Sequence, residues 1–230
     1  MLTGARAECG ENVGMDEAAA CWTELDDAWK EAFQQAWQAL RTGNIAVGAC
    51  LTDPSGRIVG AARNRVMDAS EPPGETWGSS VAHAEINALA RVPFRQSLDL
   101  TLTTTLEPCL QCAGAIRLAP VTTVRFAAAD RYWEGCHEFD RLSSREAART
   151  PLRREGPMTN ELGRFATLIS LVGPSLTPGF ERSLRSIGEG STVDLAVRLN
   201  DERRVARLAS MEVSAALREL WSDLSALIDG

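Results

Sequence analysis

No run of apolar residues in this 230-residue chain approaches the roughly 20 needed to cross a bilayer, so no membrane-spanning helix is expected. The opening residues, MLTGARAECGENVG, lack the apolar core of a secretory signal, so a cytoplasmic location with reduced thiols is expected. Lysine is almost missing: Lys30 stands alone among the cations, and the rest are arginines. That bias looks like the codon usage of a GC-rich genome and carries no functional weight. Positive charge is also in short supply. A net charge of −7 argues against a broad nucleic-acid surface, because phosphate binding is largely electrostatic, though it leaves room for a local basic groove. There is no internal repeat and no low-complexity segment. What is present is ordinary for a soluble globular protein, 44% apolar and 24% charged residues, enough for one domain with an appendage. Against that background two counts stand out: only two histidines, His83 and His137, and six scattered cysteines, which in a reducing compartment suggest metal binding or catalysis before disulfides.

Residues 1–15 read as a loose Gly- and Ala-rich tail. From Asp16 to Arg41, Trp22, Leu25, Trp29, Phe33, Ala36, Trp37 and Leu40 recur at three- and four-residue intervals, which predicts one amphipathic helix ending at Thr42-Gly43. IAVGACLTD and RIVGAAR flank Pro54-Ser55-Gly56 and predict a hairpin. The stretch over residues 65–82, with Pro72, Pro73, Gly74 and Gly78, predicts a long loop. Then VAHAEINALARV reads as a helix, LDLTLTTTL as a strand, CAGAIRLA as a helix and VTTVRFAAA as a strand. Strands separated by helices predict a three-layer α/β/α domain with a mixed sheet of about five strands over residues 16–150. Residues 151–230 read as a helical extension packed on it, with ELGRFATLISLV helical and one long amphipathic helix at the end carrying Val205, Leu208, Val213, Leu217, Leu220, Trp221, Leu224 and Leu227.

The segment TTLEPCLQCAGA stops a strand at Pro108 and places Cys109 and Cys112 on one face of a helix start. Two such thiols can ligate one metal ion, form a redox pair or simply pack. His83 opens another predicted helix with Glu85 two positions on. A histidine and two cysteines make the donor set of a catalytic zinc site, which keeps a fourth position open for water, and leave Glu85 free for proton transfer. Helix N-termini favour thiolate over thiol, and Pro108 suits a first turn because it has no N–H to leave unpaired. Each residue also has a plainer reading: a structural zinc site for the cysteines, a dipole-complementing carboxylate for Glu85, a turn residue for Asn64. Cys136 and His137 are read as lying outside a site that already has three ligands. Trp77, Tyr132 and Trp133 suit either stacking on a base or burial.

HAE followed by PCLQC is the pattern H-x-E, P-C-x-x-C of the zinc deaminases that act on cytosine and adenine. From about Asp26 to Asp130 the chain resembles the cytidine deaminase-like superfamily, in the branch of bacterial tRNA adenosine deaminases and guanine deaminases. The resemblance implies one zinc ion per chain held by His83, Cys109 and Cys112, with Glu85 as the proton shuttle and Asn64 as a hydrogen-bonding partner of the substrate. The candidate substrate contacts are then Asn64, Ala84, Trp77, Tyr132 and Trp133. Zinc would activate a water at working pH for attack on an amino-bearing ring carbon. The 65–82 loop and the sequence after Asp130 depart from the family pattern and bear on the substrate. The acidic balance, and a loop long enough to act with residues 131–140 as a lid, favour a free purine-type nucleobase, nucleoside or related heterocycle. A tRNA-editing adenosine deaminase is the alternative, and a cytosine or cytidine deaminase or an inactive zinc-stabilised binding module stands behind it. A homodimer with no membrane partner is expected.

Overall fold

The computed structural model describes residues 17–93, 99–135, 152–172 and 190–227. The tail over residues 1–15, and Cys136 and His137, lie outside these. The apolar stripe at the start forms two helices instead of one, α1 (Glu17–Glu24) and α2 (Asp27–Arg41). Asp26 breaks them apart: its backbone is extended and its carboxylate accepts from Trp29 N at 2.9 Å, an N-cap that begins a new helix. The stripe stays in phase across the break, so periodicity alone reads through it.

The hairpin follows as expected, with β1 (Gly48–Thr52) antiparallel to β2 (Ile58–Arg63). After the long loop come α3 (Ala84–Leu89), β3 (Leu100–Leu106), α4 (Leu110–Leu118) and β4 (Val121–Ala128). A single turn of 3-10 helix spans Arg131–Trp133. The fifth strand, β5 (Arg153–Glu155), comes from the segment assigned to the helical extension. The sheet order is β2-β1-β3-β4-β5; β1 is antiparallel to both its neighbours, whereas β3, β4 and β5 run parallel.

Alternation along the strands divides the core between two layers. Ala49, Leu51, Leu100, Leu102 and Val124 pack with Ala84 and Ala88 of α3 and Ile116 of α4. On the opposite face Cys50 meets Ala28 and Ala32 of α2. This is the three-layer mixed α/β architecture. Gly48 lets α2 approach β1 closely, since a Cβ there would sit 2.2 Å from Ala32 O and 2.3 Å from Ala36 N.

The C-terminal part packs against α2. It contains α5 (Glu161–Leu171), α6 (Ser191–Leu199), α7 (Glu202–Ser210) and α8 (Val213–Ser225). The expected single terminal helix is thus two, separated at Met211-Glu212. Trp37 Nε1 donates to Met211 O at 2.8 Å, and Arg41 donates to Ala209 O and Met211 O, so the break is fixed to α2. Phe165 of α5 lies 6.0 Å from the rings of both Phe33 and Trp37. Among the described residues no helix is long and apolar enough to cross a membrane.

Candidate metal centre and active site

Two helix starts meet at the carboxyl end of β3. His83 stands just before α3 with an extended backbone, and Asn87 N donates to its carbonyl. Cys109 holds the same position before α4, with Cys112 in the first turn. His83 Nδ1 lies 3.6 Å from Cys109 Sγ and 3.5 Å from Cys112 Sγ. A tetrahedral zinc ion with bonds of about 2.3 Å to sulfur and about 2.05 Å to nitrogen sets those atoms roughly 3.6 Å apart. The triangle therefore fits zinc, and it is formed by Nδ1 of the histidine. The three ligand atoms all lie within 4.8 Å of one another.

The Cys109 thiol is pulled down to about 4, first by the hydrogen bond from Cys112 and then, against burial, by His83; the same hydrogen bond and burial push Cys112 up. His83 is raised, chiefly by Cys109. A thiolate held beside an imidazole offers two of the donors that a divalent cation takes up on binding. Of the other described cysteines, Cys50 is a free buried thiol and Cys21 is disulfide-bonded, a pairing not expected from the sequence.

Glu85 lies in the first turn of α3 at 3% exposure, and its Oε2 has no hydrogen-bond partner. Burial pushes its carboxyl up to about 7, with the nearby His83 charge opposing. A buried carboxyl poised near neutrality can both take and return a proton, and a bound divalent ion would draw it down again.

The site opens into a cavity of about 820 Å3. Asn64, His83, Glu85, Cys109, Tyr132 and Trp133 all line it. Asn64 is buried at 3% exposure. Val66 N donates to its Oδ1 at 3.1 Å, which fixes the orientation of the amide, and its Nδ2 donates to no group among the described residues. Trp77 and Ala84 are not among the residues that line the cavity. Ala84 is buried in the apolar cluster beneath α3. Trp77 sits in the 65–82 loop, none of whose residues lines the cavity, so of the expected lid only the stretch from Arg131 to Trp133 faces the site among the described residues. The loop is instead tied to the body of the protein: Asp68 accepts from Arg63, Arg65 and Asn44, Glu75 pairs with Arg65 and Arg91, and the Asn87 amide bonds both backbone groups of Thr76.

Sequence reasoning missed three parts of the cavity. Glu107, next to Pro108 in the cysteine motif, lines it while paired to Arg154 at 2.8 Å. Asp130 lines it with its carboxyl raised to about 6 by burial, opposed by a hydrogen bond from Tyr132 N. The third is a whole face of α5, which Gly163 brings against the end of β4: a Cβ there would meet Met158 O at 2.2 Å and Ala127 O at 3.1 Å. Its signal was polar residues at helical spacing within ELGRFATLISLV.

Residues 23–128 match the family model of the cytidine and deoxycytidylate deaminase zinc-binding region. The tRNA-specific adenosine deaminase 2 of Xenopus tropicalis is 31% identical over 123 residues, covering 49% of this chain and 67% of that protein. The tRNA-specific adenosine deaminase of Haemophilus influenzae is 35% identical over 119 residues, covering 50% of this chain and 64% of that one. The chain thus spans about two thirds of the length of these curated relatives. Among solved structures it is similar to the guanine deaminase from Nitrosomonas europaea, at 19% identity and a TM-score of 0.47, over 74% of this chain and 97% of that one. With its HAE and PCLQC motifs converging on one zinc-sized triangle, the chain belongs to the cytidine deaminase-like family of zinc-dependent hydrolytic deaminases.

Proposed function

We propose that this protein hydrolyses an exocyclic amino group from a free purine-type nucleobase, nucleoside or related heterocycle, leaving a ring carbonyl and releasing ammonia. The observation that carries the reading is Glu85, a buried acid with one unpaired oxygen, set beside a three-ligand metal triangle and open to the cavity. Zinc held by His83, Cys109 and Cys112 supplies Lewis-acid activation of water at neutral pH. Glu85 accepts one proton of the attacking water and passes it to the ring nitrogen beside the attacked carbon, then takes the second from the added hydroxyl as the ring carbonyl forms and gives it to the amino group as it leaves. Asn64 presents a free N–H donor to a ring acceptor, and Tyr132 and Trp133, each about half exposed at the cavity, offer stacking faces.

A second reading, editing of adenosine to inosine in tRNA, is supported to the same degree by the relatives, which are tRNA-specific adenosine deaminases. The cavity walled by the C-terminal helices supports the small-molecule reading. A cytoplasmic homodimer is the assembly we expect, with Leu110 and Leu118 of α4, 44% and 90% exposed, as apolar residues for it to cover. Glu85→Ala tests the chemistry: the variant is expected to fold, to keep one zinc per chain and to lose at least about two orders of magnitude in ammonia release. Near-normal turnover would remove Glu85 from the mechanism.

A further inference from the structure

The cavity is larger than the chemistry requires, and residues beyond position 157 build the excess. About 820 Å3 falls within the range of sites that enclose drug-sized ligands, so a bare heterocycle held at Glu85 and Asn64 would leave much of the volume to water. The far wall is one face of α5. Asn160, Gly163, Arg164, Thr167, Ser170 and Leu171 line the cavity at three- and four-residue spacing, a single helical stripe. Leu162, Phe165, Ala166, Leu168 and Ile169 on the other side of the helix are buried in the core. An amphipathic helix usually gives its polar face to bulk water. Here small polar side chains face the cavity onto which His83 and Cys109 open.

Their hydrogen bonds show what they can receive. Thr167 Oγ1 donates to Gly163 O at 3.1 Å and Ser170 Oγ donates to Thr167 O at 2.7 Å. Each hydroxyl has used its proton inside the helix and keeps lone pairs to accept from a ligand. Arg164, the cation of the stripe, is engaged with Glu161 and with Leu224 O. A row of uncharged acceptors suits ligand hydroxyls better than it suits an anion.

We infer that α5 is the specificity wall of the site and that Thr167 selects a free nucleoside over a bare base by accepting a hydrogen bond from a hydroxyl of its pentose. The inference rests on the deaminase reading of the same cavity. The test uses the zinc-loaded full chain and measures ammonia release from adenine, guanine, cytosine and their nucleosides, with calorimetric binding of the same compounds in parallel. Thr167→Val, which removes the hydroxyl at nearly constant shape, is expected to lower the nucleoside-to-base ratio of kcat/KM roughly three- to tenfold, through KM, as befits one hydrogen bond. Thr167→Phe, which fills the space, is expected to lower it by more than that, with one zinc per chain retained in both variants. Equal losses on base and nucleoside, or an unchanged ratio in Thr167→Val, would overturn the assignment. If no compound releases ammonia, the deaminase reading fails on its own, and calorimetry still decides the wall: nucleoside binding weakened by the valine substitution supports it, and a nucleoside bound no tighter than its base sinks it. Activity confined to a stem-loop RNA and indifferent to Thr167 also counts against it.

Discussion

Replacing Asp68 with alanine measures how far the long loop after β2 depends on buried charge. The Asp68 carboxylate accepts from Arg63 Nη2 at 2.8 Å, Arg63 Nη1 at 3.1 Å, Arg65 Nη1 at 2.7 Å and Asn44 Nδ2 at 2.7 Å. Its side chain is 9% exposed, and those of Arg63 and Arg65 are 11% and 17% exposed. In the variant Arg65 keeps Glu75, and Arg63 keeps only its bond to Asn64 O, so one nearly buried guanidinium loses its carboxylate. Removing one partner of a buried pair costs about 3–5 kcal/mol, and the water still reaching Arg63 places the expected loss near about 3 kcal/mol. In a chain of this length that lowers Tm by roughly 6–12 °C. Urea denaturation of zinc-loaded protein at pH 7 is the assay. Burial pushes the Asp68 carboxyl up, but hydrogen bonds from Arg63, Arg65 and Asn44 prevail and hold it below the usual range. Its contribution is therefore present above the unfolded value of about 3.9 and lost as pH falls through the lower folded value. The gap between wild type and variant should close on acidification. A loss under about 1 kcal/mol at pH 7, or a gap that widens toward low pH, would show that solvent screens the network and that the loop is held some other way.

Metal binding has a spectroscopic prediction: X-ray absorption at zinc should show two sulfurs at about 2.3 Å with lighter atoms near about 2.0–2.1 Å, and a third sulfur would refute the ligand set. Cys109→Ser should lose the metal, whereas Cys50→Ser, which removes a thiol pushed up to about 12 chiefly by burial, should keep it. Gly48→Ala should destabilise the protein by about 3 kcal/mol or more, because its Cβ meets backbone of α2 at 2.2 Å; a variant with unchanged urea midpoint would show that α2 yields without cost. Deamination of free nucleosides should change little between low and high salt, and steeply salt-dependent activity restricted to a tRNA anticodon stem-loop would favour the editing reading instead.

The metal triangle was legible in the sequence because its ligands belong to scarce residue types placed at helix starts, where a short motif marks both chemistry and geometry. The β1–β2 hairpin was legible for a similar local reason, two β-rich runs across Pro54-Ser55-Gly56. Other parts escaped for identifiable causes. Asp26 interrupts a helix without disturbing the apolar phase, so the pattern that predicts a helix cannot see that break, whereas at Met211-Glu212 the five-residue step from Leu208 to Val213 was a mark that the reading ran through. β5 is Arg-Arg-Glu at the sheet edge, with no apolar residue to announce a strand. The stripe of α5 looks in sequence like an ordinary solvent face, and only tertiary packing turns it toward the metal site. Trp77 misled by the reverse route: an aromatic in a long loop suggested a lid, while the ion pairs of Arg63, Arg65, Asp68 and Glu75 hold that loop away from the cavity lining.

The aromatic contact of Phe165 with Phe33 and Trp37 limits how this protein can be recombined. Every side chain assigned to metal holding or proton transfer precedes position 113, and the wall begins at Asn160, so a crossover just after β4 would transplant substrate choice while leaving the reaction in place. Such a chimera inherits a seam through the core, however, because the helix that carries the wall is seated on rings contributed by α2. Donor segments that bring a large aromatic to the position of Phe165 should yield folded hybrids. Those that bring a small residue would open a void beneath the very face they were chosen to supply.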